Sequence, residues 1–585
     1  MPFFRSCIRV ASFCLFTLCC VFMSPVQADA PERPLVFIPG IVGSVLSEAD
    51  GDVVWGRLSS LRGKNFHKMD LLPEATTAIP IVPTDVLREI PLPFGPLEIG
   101  LYSGILDFLV GKESLADRIS GRTYTGDYVE GETLFVFSYD WRRSNFANAL
   151  ALDAFIAANI PTGDFDLIAH SMGGLVSRIM LGQRGPANLC TSADSDRMGL
   201  ADADFQDLCV AIFGDAPSGS YPSEHLNAPR PSADRLHTFI EMAVPHYGSV
   251  NVAATLLEGW GKVSELLLGG KAAIQNTVLS MAAPVELLPT YDNCCARGKV
   301  NLQGNQNVPT LDEAFWLDLL LAFGEQPCQY ARCEVRRALF KNGIENRKII
   351  DEIMDAGLPA TVRASHAIIG RKVKNTREVV YVDFGAAGNG DGVSYRKGAE
   401  GDGTVHRMSA RLPQNQQTDT HTNEGVVMHA GHAFIVGNED ATNYVFNMLV
   451  EPIDAPIAAV SGNQKQFAGG VVDQLGVEMA SSVILLGDTA EVTLRMNHLD
   501  SAPFVAEQVE RETLKLVMNV AGSGEVGTEI GRLVLDPARS LIERGAVVYS
   551  ATGLPVSDAG IYTLTITDSR GTALAQSHLY VLEAS

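Results

Sequence analysis

Ala169-His170-Ser171-Met172-Gly173-Gly174 is the stretch on which the reading of this chain turns. It closes a short apolar run, Phe165 to Ala169, and opens a helical pattern, Gly174 to Gly182. A strand that passes straight into a helix through a serine must turn sharply, and the turn pushes the hydroxyl into the open. Ala169 and Gly173 are small enough to let the backbone make it. The helix start beneath offers free N–H groups and a positive dipole end, suited to an oxyanion. Outward from this point the same rhythm repeats. Leu35 to Ile38, Leu134 to Ser138, Thr238 to Ala243 and Ala367 to Ile369 read as further buried strands, and Ala149 to Ala158 as another helix. Apolar strands alternating with helices predict a mostly parallel, doubly wound α/β sheet, covered on both faces.

If Ser171 is a nucleophile, an acid and a base should follow it in that order. Asp402 lies in Gly401-Asp402-Gly403-Thr404-Val405, a glycine-rich loop beyond the strand at Ala367 to Ile369. His432 lies in Gly431-His432-Ala433-Phe434-Ile435, after the apolar run Gly425 to Met428. His429, at the end of that run, is the rival base. Each residue by itself is an ordinary loop residue; the joint order strand–Ser–helix, strand–Asp, strand–His is what selects Ser171, Asp402 and His432. Two oxyanion donors are needed. Met172, directly after the serine, should supply one, and Ile41, in the turn Pro39-Gly40-Ile41 after the first strand, the other. His406 and His421 lie near this region, but no carboxylate pairs with them at helical spacing, so neither a metal nor another cofactor is expected.

The 585-residue chain is long enough for more than one domain. Arg5 and Arg9, the apolar run Val10 to Met23 and Val26-Gln27-Ala28 predict a signal peptide, residues 1–28, and hence export to the periplasm or the cell exterior, in a chain of bacterial character. The catalytic unit should occupy 29–452, with an insert at 185–234, rich in Asp, Ser, Pro and Gly, that reads as a long surface excursion, and an apolar segment at 249–282. That segment, with Leu256, Leu257, Trp260 and Leu266 to Leu268, reads either as a helical core piece or as a lid. Beyond Pro456, period-two alternation at Ala490 to Arg495, Thr513 to Val520 and Ile561 to Thr567 predicts an all-β domain, 456–585. Asp558-Ala559-Gly560-Ile561-Tyr562 resembles the tyrosine corner of immunoglobulin-like sandwiches; what this sandwich would bind is open. In an oxidising compartment the even count of six remaining cysteines suggests disulfides: Cys190 with Cys209 would close one local loop, Cys294 or Cys295 could reach Cys328 or Cys333, and the connectivity stays open. A formal net charge of −23 disfavours nucleic acid as a partner and makes any transient contact with a membrane or micelle surface apolar and local.

Together the motifs resemble the lecithin:cholesterol acyltransferase-like lipases. The resemblance rests on Phe37 to Leu46, Tyr139-Asp140-Trp141-Arg142, Ala169 to Gly174, Pro245-His246-Tyr247-Gly248-Ser249, Glu286-Leu287-Leu288-Pro289, Gly401 to Val405 and His432 to Ile435, and covers roughly residues 34 to 450. Ala169 stands where the family usually has Gly, and Val244 where it often has Thr. The resemblance implies an α/β-hydrolase core with Ser171 as nucleophile, Asp402 as acid, His432 as base, Ile41 and Met172 as oxyanion donors, and a lipid or lipid aggregate as substrate. For Asp140 and Arg142 a buried structural ion pair is expected rather than catalysis. The reaction to expect is hydrolysis of lipid acyl esters through an acyl-enzyme. The same triad would serve transfer of a fatty acyl group from phospholipid to an alcohol, and a non-catalytic extracellular binding protein is the reading from another class.

Overall fold

The computed structural model describes residues 33–57, 66–73, 80–91, 98–113, 115–116, 123–214, 228–258, 271–291, 294–298, 306–308, 314–316, 332–370, 376–383, 393–398, 401–410, 426–428 and 430–450. Farther along it describes nine strands between Lys465 and Leu582. The predicted signal peptide, His421 and His429 lie outside these residues.

The centre is a six-stranded parallel sheet. Its strands are β1 (Leu35–Ile38), β2 (Leu134–Val136), β3 (Phe165–His170), β4 (Leu236–Met242), β5 (Ala364–Gly370) and β6 (Val426–Met428), in the spatial order β6-β5-β4-β3-β1-β2. Residues along a strand alternate between its faces. Val36 and Ile38 therefore join one core cluster while Leu35 and Phe37 join the other, and Phe239 and Ile240 part in the same way. Burial of each such side chain contributes about 1.5–3 kcal/mol, and both faces need a cover.

Helices α1 (Asn145–Asn159) and α2 (Met172–Gly182) cover the first face through Phe146, Leu152, Ile156, Leu175 and Ile179. The hydroxyl of Ser144 caps α1 by accepting from the Phe146 N–H at 3.2 Å. The helix α3 (Cys333–Ala356) adds Phe340, Ile344, Ile350 and Ile353 to that face. The short helix Ser103–Leu109 and α4 (Glu439–Val450) cover the other, with Ile105, Phe108, Val445 and Phe446. This doubly wound sheet, with a serine turn at the end of its central strand β3, is an α/β-hydrolase-like fold.

Two expectations need correcting. The 185–234 insert is not a plain surface excursion. It contains helices Ser192–Met198 and Asp202–Phe213, and the second buries Phe205, Leu208 and Ile212 against Val335 and Leu339 of α3. Its acidic first turns masked that apolar face. The cysteine pairing also differs in part. Cys190 bonds Cys209 across the anticipated local loop, but Cys294 bonds its neighbour Cys295. Cys328 lies outside the described residues. Of the apolar segment 249–282, Val250, Ala253, Leu256, Ile274 and Val278 are buried in the main core, while Trp260 and Leu266 to Leu268 lie outside the described residues.

From Lys465 onward every described residue is in a strand. The nine strands form one hydrogen-bonded series, from Lys465–Phe467 at one edge to Val483–Leu485 at the other. Thr528–Leu535 pairs along its first part with Leu514–Val520 and at Val534 and Leu535 with Ala546–Thr552, so it passes between two groups of strands.

Candidate active site

Ser171 sits between β3 and α2 with φ 52° and ψ −126°. This strained, left-handed conformation is rare for a residue with a Cβ and persists only where its surroundings hold it. They do so here through the Ser171 N–H, which donates to the Met242 carbonyl of β4 at 2.9 Å, and through the helix, where the Gly174 N–H donates to the Ser171 carbonyl at 3.0 Å. Gly173 is required because a Cβ there would stand 2.5 Å from the Pro39 carbonyl oxygen.

The expected acid and base converge on this serine. Ser171 Oγ lies 2.8 Å from His432 Nε2, and His432 Nδ1 lies 2.7 Å from Asp402 Oδ2. With both bonds made, the Nδ1–H donates to the carboxylate and Nε2 accepts from the serine hydroxyl. The other carboxylate oxygen accepts from the Thr404 and Val405 N–H groups at 2.9 and 2.7 Å, so Asp402, only 2% exposed, is fully partnered. The His432 N–H donates to the Asp402 carbonyl at 2.9 Å, which binds the base loop to the acid loop. Both loops meet at the end of β5, where Gly370 leaves room: a Cβ there would be 2.5 Å from Asp402 Cβ and 2.7 Å from the Ala430 carbonyl.

The loop after β1 completes the site. A Cβ on Gly40 would lie 2.7 Å from Ser171 Cβ, so this loop touches the serine. Gly43 N–H closes a tight turn by donating to the Gly40 carbonyl at 3.1 Å, with Val42 at φ 58°. The Gly40 N–H is engaged by the Tyr102 hydroxyl at 2.9 Å. Among the described residues the N–H groups of Ile41 and Met172 have no recorded acceptor. Met172 directly follows Ser171 at the first position of α2, where helix geometry leaves the N–H unused, and Ile41 follows Gly40 in the turn.

The Tyr139-Asp140-Trp141-Arg142 block braces that loop. Tyr139 donates its hydroxyl to the Pro39 carbonyl at 3.0 Å, the Tyr139 N–H donates to Ser44 Oγ at 3.1 Å, and Trp141 Nε1 donates to the Ser44 carbonyl at 3.3 Å. Arg142 and Asp140 form a buried two-pronged pair, both bonds 2.8 Å. Burial opposes ionisation of Asp140, but Arg142 and Arg143 outweigh it and hold its carboxyl below the ordinary value. The motif therefore serves structure beside the site, away from the Ser171 hydroxyl.

Two site neighbours escaped the sequence reading, Tyr102 and the role of His170. His170 stands within the serine motif, but nothing in the spacing gives it a partner. Tyr102 lies in Gly100-Leu101-Tyr102-Ser103, a stretch without pattern.

The family model for lecithin:cholesterol acyltransferase matches residues 122–462, more than half the chain. The chain belongs to the lecithin:cholesterol acyltransferase family. A curated relative, the lecithin-cholesterol acyltransferase-like 4 protein of Arabidopsis thaliana, is 30% identical over 175 residues, which are 26% of this chain and 31% of the relative. The chain thus spans about a third of the length of the curated relative it matches. Among solved structures, a chain of the Tle4–Tli4 complex is 14% identical, covering 72% of this chain and 99% of its own, with TM-score 0.42. The Staphylococcus hyicus lipase is 12% identical, covering 73% and 99%, with TM-score 0.29. Within the family match lie Ser171, Asp402 and His432; Ile41 precedes it.

Proposed function

We propose that this chain is an exported serine esterase that cleaves lipid acyl esters through an acyl-enzyme on Ser171. The observation that carries the reading is the unbroken chain Ser171 Oγ–His432 Nε2 (2.8 Å) and His432 Nδ1–Asp402 Oδ2 (2.7 Å), on a serine held at positive φ. His432 takes the hydroxyl proton as Oγ attacks the ester carbonyl carbon. The negative charge that develops on the carbonyl oxygen is met by the Ile41 and Met172 N–H groups and the start of α2. Collapse of the tetrahedral species breaks the ester C–O bond, and His432 gives its proton to the departing alcohol. Asp402 keeps the imidazole in the tautomer that can accept from serine, and stabilises the imidazolium. Water, deprotonated by His432, then attacks the acyl carbon, and cleavage of the bond to Ser171 Oγ releases the fatty acid as His432 returns the proton to Oγ.

Family membership favours a second outcome at the same intermediate, in which a bound alcohol takes the acyl group. The triad serves both; access of water to the acyl-enzyme separates them. The organisation that goes with this reading is a signal peptide 1–28, a catalytic domain 29–452 and an immunoglobulin-like sandwich 456–585. The strand Thr528–Leu535, shared between two strand groups, is compatible with such a sandwich.

The test is a product assay with purified mature protein and Ser171→Ala on mixed phospholipid and triacylglycerol micelles, with and without a long-chain alcohol. Serine-dependent free fatty acid is the expected product. New alkyl ester at its expense makes the protein an acyltransferase. No serine-dependent product from any lipid defeats the lipid-esterase reading and leaves a binding protein.

A further inference from the structure

We propose that Tyr102 and His170 are positioning residues that lock the oxyanion turn and the base loop to one another around Ser171. The inference rests on the serine-esterase reading above and adds to it two residues outside the triad. Four groups from separate parts of the chain stand in series. The Gly40 N–H lies 2.9 Å from Tyr102 Oη, Tyr102 Oη lies 2.9 Å from His170 Nδ1, and His170 Nε2 lies 3.0 Å from the His432 carbonyl.

The direction of each bond follows from the donor and acceptor chemistry. An amide N–H can only donate, so the Tyr102 oxygen accepts from Gly40. The hydroxyl's own proton then goes to His170 Nδ1. His170 must therefore carry its one proton on Nε2, which it donates to the His432 carbonyl. One tautomer of one neutral histidine satisfies the whole series. Burial, with His432 beside it adding to the effect, lowers the His170 pKa to about 3, so the ring is neutral at neutral pH.

The series has two consequences. It occupies the Gly40 N–H and so leaves Ile41 as the amide the turn can present. It also pins the His432 backbone from a second side, since the Asp402 carbonyl already holds the His432 N–H at 2.9 Å. A base displaced by about 1 Å loses on the order of 100-fold in rate, so a tether at this point bears on turnover. Core packing of Tyr102 does not require it: the ring already sits edge-on to Phe37, at 5.3 Å between centroids, and phenylalanine would keep that contact.

The experiment compares wild type, Tyr102→Phe, His170→Ala, the double variant and Ser171→Ala on p-nitrophenyl butyrate. Turnover is normalised to active sites titrated with a fluorophosphonate, which removes any misfolded fraction from the count. The expected result is a fall in kcat of roughly 10- to 100-fold in each single variant, with KM within about twofold. The double variant should be no worse than the worse single, because both cut the same series. Unchanged kcat per titrated site in Tyr102→Phe, or losses that multiply in the double variant, overturns the inference. Tyr102→Phe removes a single oxygen atom, so it keeps the test decisive if His170→Ala does not fold. Wild type without Ser171-dependent turnover would instead overturn the parent reading, and this inference with it.

Discussion

Replacing Arg178 by Met should cost this fold about 3–5 kcal/mol, the range for removing one partner of a buried ion pair. Arg178 of α2 grips Glu241 of β4 with two bonds, Nε to Oε1 at 2.6 Å and Nη2 to Oε2 at 2.5 Å. Both side chains are essentially inaccessible. His246 Nε2 adds a third contact to Oε1 at 2.8 Å. Burial alone would push the Glu241 carboxyl up, but Arg178 and His246 outweigh it and lower the pKa from 4.5 to about 2. At about 1.4 kcal/mol per pH unit, the folded state favours the ionised form by roughly 3 kcal/mol. Because the folded value is the lower one, this stabilisation is fully present above pH 4.5 and is lost as the pH falls toward 2. The assay is urea unfolding of wild type, Arg178→Met and Arg178→Met/Glu241→Gln at pH 7. The second substitution should recover part of the loss, because the expense lies in a buried carboxylate left with His246 as its remaining partner among the described residues. A cost below about 1 kcal/mol for Arg178→Met, or a double variant weaker than the single by the full cost of a second lesion, would refute the reasoning.

Other perturbations test neighbouring parts of the structure. Gly40→Ala puts a Cβ 2.7 Å from Ser171 Cβ and 3.2 Å from its Oγ; turnover on p-nitrophenyl butyrate should fall by on the order of 100-fold, and wild-type kinetics would show that the loop does not touch the serine. Asp402→Asn removes the acceptor of the His432 Nδ1 proton and should lower kcat by about 10⁴-fold with unfolding unchanged within about 1 kcal/mol; retained turnover would remove Asp402 from the mechanism. Replacing Cys190 and Cys209 by Ser opens a loop of sequence separation 19 and should lower stability by about 3 kcal/mol, read as an earlier urea midpoint that reductant reproduces in wild type. Equal midpoints with and without reductant would mean that the bond does not form in solution.

The sheet was legible because its strands are mostly apolar and end at turns. Phe165 to Ala169 and Thr238 to Ala243 lie within one or two residues of β3 and β4. The order of Ser171, Asp402 and His432 was legible from the same rhythm: Ser171 directly follows β3, Asp402 lies in a glycine-rich loop farther beyond β5, and His432 comes shortly after β6, and the structure brings the three together. The 24-residue helix α3 was not, since its buried side carries Arg336, Asn342, Asn346 and Arg347 among the apolar residues, which blunts the 3.6-residue pattern. Arg336, Asn346 and Arg347 are satisfied by contacts that no local pattern announces. Asn346 Nδ2 donates to Glu286 Oε1 at 2.7 Å, and Arg336 donates to both oxygens of Asp70. Tyr102 was hidden in the same way, because its partners Gly40 and His170 stand 62 and 68 residues away in the chain.

A covalent bond between Ser171 and the acyl group is the central step, and mass spectrometry can look for that bond itself. Wild type and Ser171→Ala are mixed with p-nitrophenyl butyrate, quenched in acid during turnover and digested. The expected result is a butyryl group on the peptide that carries Ser171, accumulating before steady state, and neither adduct nor turnover in Ser171→Ala. Turnover that persists in Ser171→Ala, or a butyryl group carried by another residue, would contradict it.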